Sequence, residues 1–304
     1  MMKFDVILLR YGELSLKSNY VRKMFELRLV QNIKKAFLRE KIPHDLRIER
    51  GRIYLITPEI PRSIAVLSKI FGIVSFSPAV ETTSSMQNIS TLALQLMNNV
   101  LTKEESFAIR VKRVGTHQFS SQNVAVHVGN DIVTATHARV DLNNPDIELF
   151  IEIREKKSFL FTQKIVGVGG LPLGTQGKIL ALIENPSSLL AAWYLMRRGC
   201  NAVIVYMKKS NQERIQSFLR KWYADAEIIF INPTSESLSK QLTIIASEKK
   251  CDALVVGYSL DDPINPLQHI MQLKKNHVIP VLTPLIAMTK TEISTQCIKK
   301  GISL

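Results

Sequence analysis

The tract Ile179-Leu180-Ala181-Leu182-Ile183 constrains this chain most, because five consecutive apolar residues cannot alternate in and out as a half-buried strand must. Such a run suits a strand covered on both faces, as in a parallel sheet. Helical spacing follows from Leu189 to Met196 and closes on Arg197, Arg198 and Gly199, a basic last turn with glycine behind it. The same alternation continues downstream. Strands are expected at 202–207, 227–231 and 252–257, with helices at 211–223 and 235–249 between them. A strand at 278–282 and a helix at 289–300 end the sequence. This order predicts an α/β domain with a doubly wound parallel sheet.

The turn joining the first strand to its helix reads Glu184-Asn185-Pro186-Ser187-Ser188-Leu189. At this place in a doubly wound sheet, a loop of small residues can offer backbone N–H groups to a phosphate at the helix N-terminus. Here Pro186 has no N–H to offer, and Glu184 puts a carboxylate where phosphate would sit. The expectation is the scaffold of a nucleotide site without its chemistry.

The preceding residues read as α+β. A strand at 3–10 leads into a basic amphipathic helix, Asn19 to Leu38, with Val21, Phe25, Leu29, Ile33 and Phe37 on one face. Strands at 45–49 and 52–57 flank a turn at Arg50-Gly51, then a helix at 61–70 and a strand at 73–79 complete a split ferredoxin-like order. Next come a helix at 84–101, a strand at 106–112, a helix at 120–136 and a hairpin of strands 146–152 and 158–164. Gly167 to Lys178 holds five glycines in twelve residues and reads as a linker. Domains are therefore expected at 1–79, 80–166 and 179–304, joined by the linker at 167–178.

Forty basic against 26 acidic side chains give a formal charge of +14, which points to a polyanionic partner. Residues 1–77 carry 15 basic and 7 acidic side chains, the densest excess, so RNA binding is expected within 1–178. With 7% aromatic residues, a stacking platform for splayed bases is disfavoured and a structured RNA read through its phosphates fits better. Cys200, Cys251 and Cys297 are far apart and odd in number, so neither a disulfide framework nor a zinc site is indicated, and a reducing cytoplasm is expected. No apolar run reaches the roughly 20 residues of a membrane span.

Leu9 to Lys17, Phe107 to Arg113 and Leu282 to Ile293 head three signatures that together resemble the tRNA 4-thiouridine synthase (tRNA sulfurtransferase) family. The first is Leu9-Arg10-Tyr11-Gly12-Glu13-Leu14-Ser15-Leu16-Lys17. The second joins Phe107 to Arg113, Val140 to Asp146 and the glycine-rich linker, and is similar to a THUMP domain, an RNA-binding module. The third, Leu282 to Ile293, is similar to the closing segment of the family's ATP-pyrophosphatase domain. The resemblance implies a ferredoxin-like domain, a THUMP domain and an ATP-pyrophosphatase-like domain.

It also implies a tRNA partner gripped in its acceptor region, uridine 8 as the modified base, and a homodimer. The family loop has the form S-G-G-x-D-S, and none of Glu184, Asn185, Pro186, Ser187, Ser188 and Leu189 matches it. A second family acid falls on Tyr258, and the sequence to Leu304 holds neither a rhodanese domain nor the region of the family's functional cysteines. The expectation is a tRNA-binding protein with no catalytic residues, no metal and no cofactor. The alternative is a working sulfurtransferase that uses ATP and magnesium and takes persulfide sulfur from a partner.

The candidate RNA-binding residues are Arg10, Lys17, Arg110, Lys112, Arg113, His137, Arg139, Lys156 and Lys157, read as phosphate contacts. Each alone also suits a solvated surface. Asp141 and Asn144 read as turn formers. For the glycine-rich linker two readings stay open, a hinge and a phosphate cradle with Lys178 as its cation.

Overall fold

The structure, a computed structural model, describes residues 4–12, 18–49, 51–232, 237–263, 265–275 and 279–303. In chain order the elements are β1 (Val6–Tyr11), α1 (Asn19–Arg39), β2 (Asp45–Glu49), β3 (Arg52–Ile56), α2 (Ile60–Leu67), β4 (Ile73–Thr83), α3 (Met86–Met97), β5 (Ser106–Val114) and α4 (Ser121–Thr136). There follow β6 (Arg139–Val140), β7 (Ile147–Arg154), β8 (Lys157–Phe161), β9 (Ile165–Val166), β10 (Lys178–Ile183) and α5 (Pro186–Arg197). The last are β11 (Asn201–Tyr206), α6 (Asn211–Lys221), β12 (Glu227–Phe230), α7 (Leu238–Glu248), β13 (Ala253–Val255), α8 (Pro266–Lys274), β14 (Val281–Leu282) and α9 (Lys290–Lys300). They form two compact units, one of residues 1–10, 40–65 and 75–166, the other of 11–39, 66–74 and 167–304.

The first unit is organised by one sheet in the order β2-β3-β1-β4-β8-β7-β5-β6, with β9 also beside β4. On one face, Phe107, Leu149, Ile151, Ile153 and Leu160 pack against Ile89, Ala93, Val124, Val128 and Ile132 of α3 and α4. Strand alternation sends Val6, Leu8, Tyr54, Phe159 and Phe161 to the opposite face, where they form a second cluster. Tyr54 and Phe159 stack with ring centroids 4.8 Å apart although three inter-strand steps separate β3 from β8. In a flat sheet that distance would be about 14 Å. The sheet is therefore strongly curled around this face.

The second unit contains the predicted doubly wound sheet, five parallel strands in the order β12-β11-β10-β13-β14. β10 is central and buried on both sides. Ile179, Ala181 and Ile183 enter one core with Trp193, Met196, Phe218 and Cys297. Leu180 and Leu182 enter the other with Val203, Leu242 and Leu254.

Several expectations require correction. α5 starts at Pro186 rather than 189, because Asn185 caps the helix and proline is well suited to its first position. β4 runs on to Thr83, since its end pairs with β8. Helix α8 was not foreseen, although Asn265 caps it and Pro266 opens it. Residues 1–178 are not self-contained. Phe71 stacks on Trp222 at 5.6 Å, Asn32 Nδ2 donates to the Leu173 carbonyl at 3.0 Å, and Arg39 meets Asp225 at 2.8 Å. The helix and the segment before β4 thus share a unit with residues beyond the linker.

Candidate nucleic-acid interface and nucleotide loop

On the inner face of the curled sheet, a cleft of about 200 Å³ is lined by Arg10, Arg52, Arg110, Lys112, Lys164 and Glu152 among others. Glu152 on β7 is buried, 3% exposed. Its Oε1 accepts from Arg52 Nε at 2.8 Å and from Arg154 Nε at 2.7 Å, and its Oε2 lies 3.5 Å from Arg10 Nη2. Burial pushes the Glu152 carboxyl up, but the charges and hydrogen bonds of Arg52 and Arg154 outweigh it and hold the group below its ordinary value. Arg10 is fixed further by Ser77 Oγ at 2.9 Å and lies 4.9 Å over the Phe161 ring. Phe150 and Phe161 stack at 5.2 Å in the lining.

Of the sequence-predicted RNA residues, Arg10, Arg110 and Lys112 meet in this cleft. On β5 the register sets Arg110 opposite Phe150 and Lys112 opposite Glu152. Arg110 is already engaged, its Nε with Glu148 at 2.7 Å and its Nη2 with the Leu142 carbonyl at 2.8 Å. Lys112 is exposed. Arg113 alternates to the other face and lies near the Gly115 carbonyl and His117 Nδ1. His137 is the exposed left-handed cap of α4. Arg139 pairs with Ser106, four residues before Arg110 and so about 13 Å along the strand. Lys156 and Lys157 line a separate cleft of about 590 Å³, where Lys157 Nζ meets Glu81 at 2.6 Å. Lys17 lies outside the described residues. The predicted set is therefore not one track, and Arg52, Arg154, Lys164 and Glu152 were missed. The signal available for them was the alternation Phe150, Glu152, Arg154, which places a carboxylate on an apolar strand face.

In the second unit, the nucleotide loop is reduced to Glu184 and Asn185. Asn185 Oδ1 accepts the Ser188 N–H at 3.0 Å, the donor that an anion at this helix N-terminus would use. Ser187 Oγ donates to the Gly257 carbonyl at 3.0 Å, drawing the chain after β13 against the helix start. A Cβ on Gly257 would lie 2.7 Å from the Ser187 carbonyl carbon, so glycine permits this approach. The Tyr258 hydroxyl bonds the Glu184 carboxylate, and burial with that negative charge raises the phenol's pKa. These residues do not fit the triphosphate that the family implies: no small-residue loop remains, Asn185 takes a helix-start N–H, and acidic Glu184 directly precedes the cap. Beside them lies a cleft of about 440 Å³ lined by Glu184, Tyr258, His269 and Lys275 among others.

The phosphate-cradle reading of the linker is also corrected. The N–H groups of Gly174, Thr175 and Gln176 all donate to the Gly199 carbonyl, at 2.8, 2.9 and 3.1 Å, and that of Gly169 to Ile73. Lys178 Nζ donates to the Lys249 carbonyl at 2.9 Å. Asp141 Oδ1 accepts from the Asn143 and Asn144 N–H groups, a turn-forming role. Burial pushes the thiols of Cys200, Cys251 and Cys297 above their ordinary value, which disfavours the nucleophilic thiolate. Among the described residues no group of three His, Cys, Asp or Glu could hold a metal, and no helix is long and apolar enough to cross a membrane.

Comparison with known proteins agrees with this architecture. The ThiI ferredoxin-like domain family matches residues 6–77 and the THUMP domain family residues 83–163. A probable tRNA sulfurtransferase of Methanothermobacter thermautotrophicus is 35% identical, with 95% of this chain aligned to 83% of the relative. That of Methanobrevibacter smithii is 31% identical over 96% of this chain and 85% of its own. A crystal structure of a Pyrococcus horikoshii protein superposes with a TM-score of 0.83 at 29% identity, covering 98% of this chain and 99% of the other. A 4-thiouridine synthetase in complex with RNA and ATP shares the fold, with a TM-score of 0.82 at 22% identity over 98% of this chain and 85% of its own. The chain belongs to the tRNA sulfurtransferase family.

Proposed function

We propose that this protein binds tRNA in the cytoplasm and serves the thiolation of uridine 8 without an ATP-pyrophosphatase activity of its own. The observation that carries the second half is the occupied helix start: Asn185 takes the Ser188 N–H while Ser187 holds the Gly257 carbonyl. A triphosphate there would have to displace both and approach the Glu184 carboxylate. The first half is supported by the THUMP match at 83–163 and by the cationic cleft on the first unit. On this reading the tRNA is gripped in its acceptor region through phosphate contacts, and a separate protein supplies adenylation and sulfur. A homodimer is part of the same reading.

The test is nucleoside analysis of tRNA from a strain lacking the gene, complemented with the wild type or with Glu184→Ala. Loss of 4-thiouridine on deletion and full rescue by both is expected. Unchanged 4-thiouridine on deletion removes the assignment. Rescue by the wild type but not by a stably folded Glu184→Ala would instead favour a working site at the loop.

A further inference from the structure

The cleft of the first unit contains a feature that surface cations do not need, a buried carboxylate at its centre. Three guanidiniums, from β1, β3 and the end of β7, converge on Glu152 at 3.5, 2.8 and 2.7 Å. Glu152 is thus shared among guanidiniums, and Arg10 and Arg52 also line the cleft. Lys112 and Lys164 add exposed ammonium groups to the same cleft, while Arg110 is matched by Glu148. Without a shared anion, three adjacent guanidiniums repel and each would sample several rotamers. Held on one carboxylate, they wait in place for a second anion, and the ordering cost of binding falls.

Resting on the RNA-binding reading above, we propose that Glu152 is a positioning residue that holds Arg10, Arg52 and Arg154 as a preassembled seat for one RNA phosphate, with Lys112 and Lys164 meeting the phosphates on either side of it. Guanidinium groups suit phosphate in charge and in hydrogen-bond geometry. Arg10, Arg52, Lys112 and Arg154 come from four strands of one sheet and Lys164 from the segment between β8 and β9, an arrangement that suits an extended polyanion better than a single carboxylate side chain.

The sign of one substitution tests this. If Glu152 merely subtracts charge, Glu152→Gln strengthens tRNA binding and steepens its salt dependence. If Glu152 positions the arginines, the same change weakens binding, and we expect roughly tenfold at physiological salt. The slope of log affinity against log salt should also lose about one unit, as expected when a phosphate contact is lost. Binding by a folded Glu152→Gln protein that equals or exceeds the wild type overturns the proposal. A purely structural role would leave the slope unchanged, which also overturns it.

Should Glu152→Gln fail to fold, the double variant Lys112→Ala/Lys164→Ala changes only exposed ends and decides the seat itself. Its slope should fall by about 1.4–1.8, and an unchanged slope refutes the seat. Polyglutamate that competes with tRNA as well as an RNA duplex does would reassign the cleft to acidic proteins. If the wild type binds no tRNA at all, the functional reading fails first, an outcome distinct from an altered Glu152 response.

Discussion

Arg52 on β3 and Glu152 on β7 lie four strands apart in the sheet order and 2.8 Å apart in space. A flat sheet would separate those strands by about 19 Å. The ion pair therefore ties together two distant strands across the curl, and both partners are nearly buried, with side chains 12% and 5% exposed. Removing Arg52 leaves the buried carboxylate with Arg154 and Arg10, so the cost should stay below the about 3–5 kcal/mol of a buried charge left with no partner. Arg52→Ala should destabilise the first unit accordingly, whereas Arg52→Lys should lose less. Denaturant melts of the two variants check this ordering.

The same carboxylate makes stability pH-dependent. Glu152 titrates below its ordinary value in the folded state because of Arg52 and Arg154, despite its burial. A group lowered by folding stabilises above its unfolded pKa and loses that contribution as pH falls through its folded one. The wild type should therefore lose melting temperature more steeply than Glu152→Gln on acidification from about pH 5 to about pH 3. Parallel profiles would show that Glu152 is not the linked group.

Lys112 and Arg110 should differ in their effect on RNA. Arg110 already faces Glu148 at 2.7 Å and the Leu142 carbonyl, whereas Lys112 projects into the cleft as an exposed ammonium. Lys112→Ala should flatten the salt slope by about 0.7–0.9, the value for one phosphate contact, and weaken all tRNAs alike because phosphates carry no sequence. Arg110→Ala should do less. Filter binding across a salt series with two tRNA species reads both effects.

The start of α5 should be a stability element. Asn185→Ala removes the cap on Ser188 and should cost about 1 kcal/mol. Gly257→Ala introduces a methyl against Ser187 and Ser188 and should cost about 1–3 kcal/mol by overpacking. Thermal unfolding of both proteins tests these values. If neither moves the transition, the helix start is not closed as described.

A fragment of residues 1–178 should not fold as an independent unit. Phe71 would lose Trp193 and Trp222, its neighbours at 5.8 and 5.6 Å, and α1 would lose Asp225, the partner of Lys35 and Arg39. Circular dichroism and proteolysis of the fragment would show fraying of α1. A fragment as protease-resistant as the intact chain contradicts the observed division.

The parts of this fold that sequence shows are those set by periodicity. The apolar run at β10 announced the parallel sheet, and the four-residue spacing of Phe25, Leu29, Ile33 and Phe37 announced α1. Boundaries set by tertiary pairing were hidden, as at the end of β4, which extends because β8 lies beside it. The start of α5 was a different failure. Asn185-Pro186 is a good cap-and-first-turn signal, but a phosphate loop would occupy the same place between strand and helix, so local sequence supports both. For the site, Arg10, Arg110 and Lys112 were visible as local charge. Arg52 and Glu152 are 100 residues apart and meet only through the curl of the sheet. Nothing in either local sequence announces the other.

If the protein holds RNA with its cationic unit while Asn185, Ser187 and Gly257 close its nucleotide loop, it should bind tRNA and not ATP. Isothermal calorimetry of magnesium-ATP, with and without bound tRNA, tests it most directly. No saturable heat is expected below millimolar ATP in either state, in a sample shown to shift tRNA. A magnesium-dependent dissociation constant in the micromolar range would contradict it.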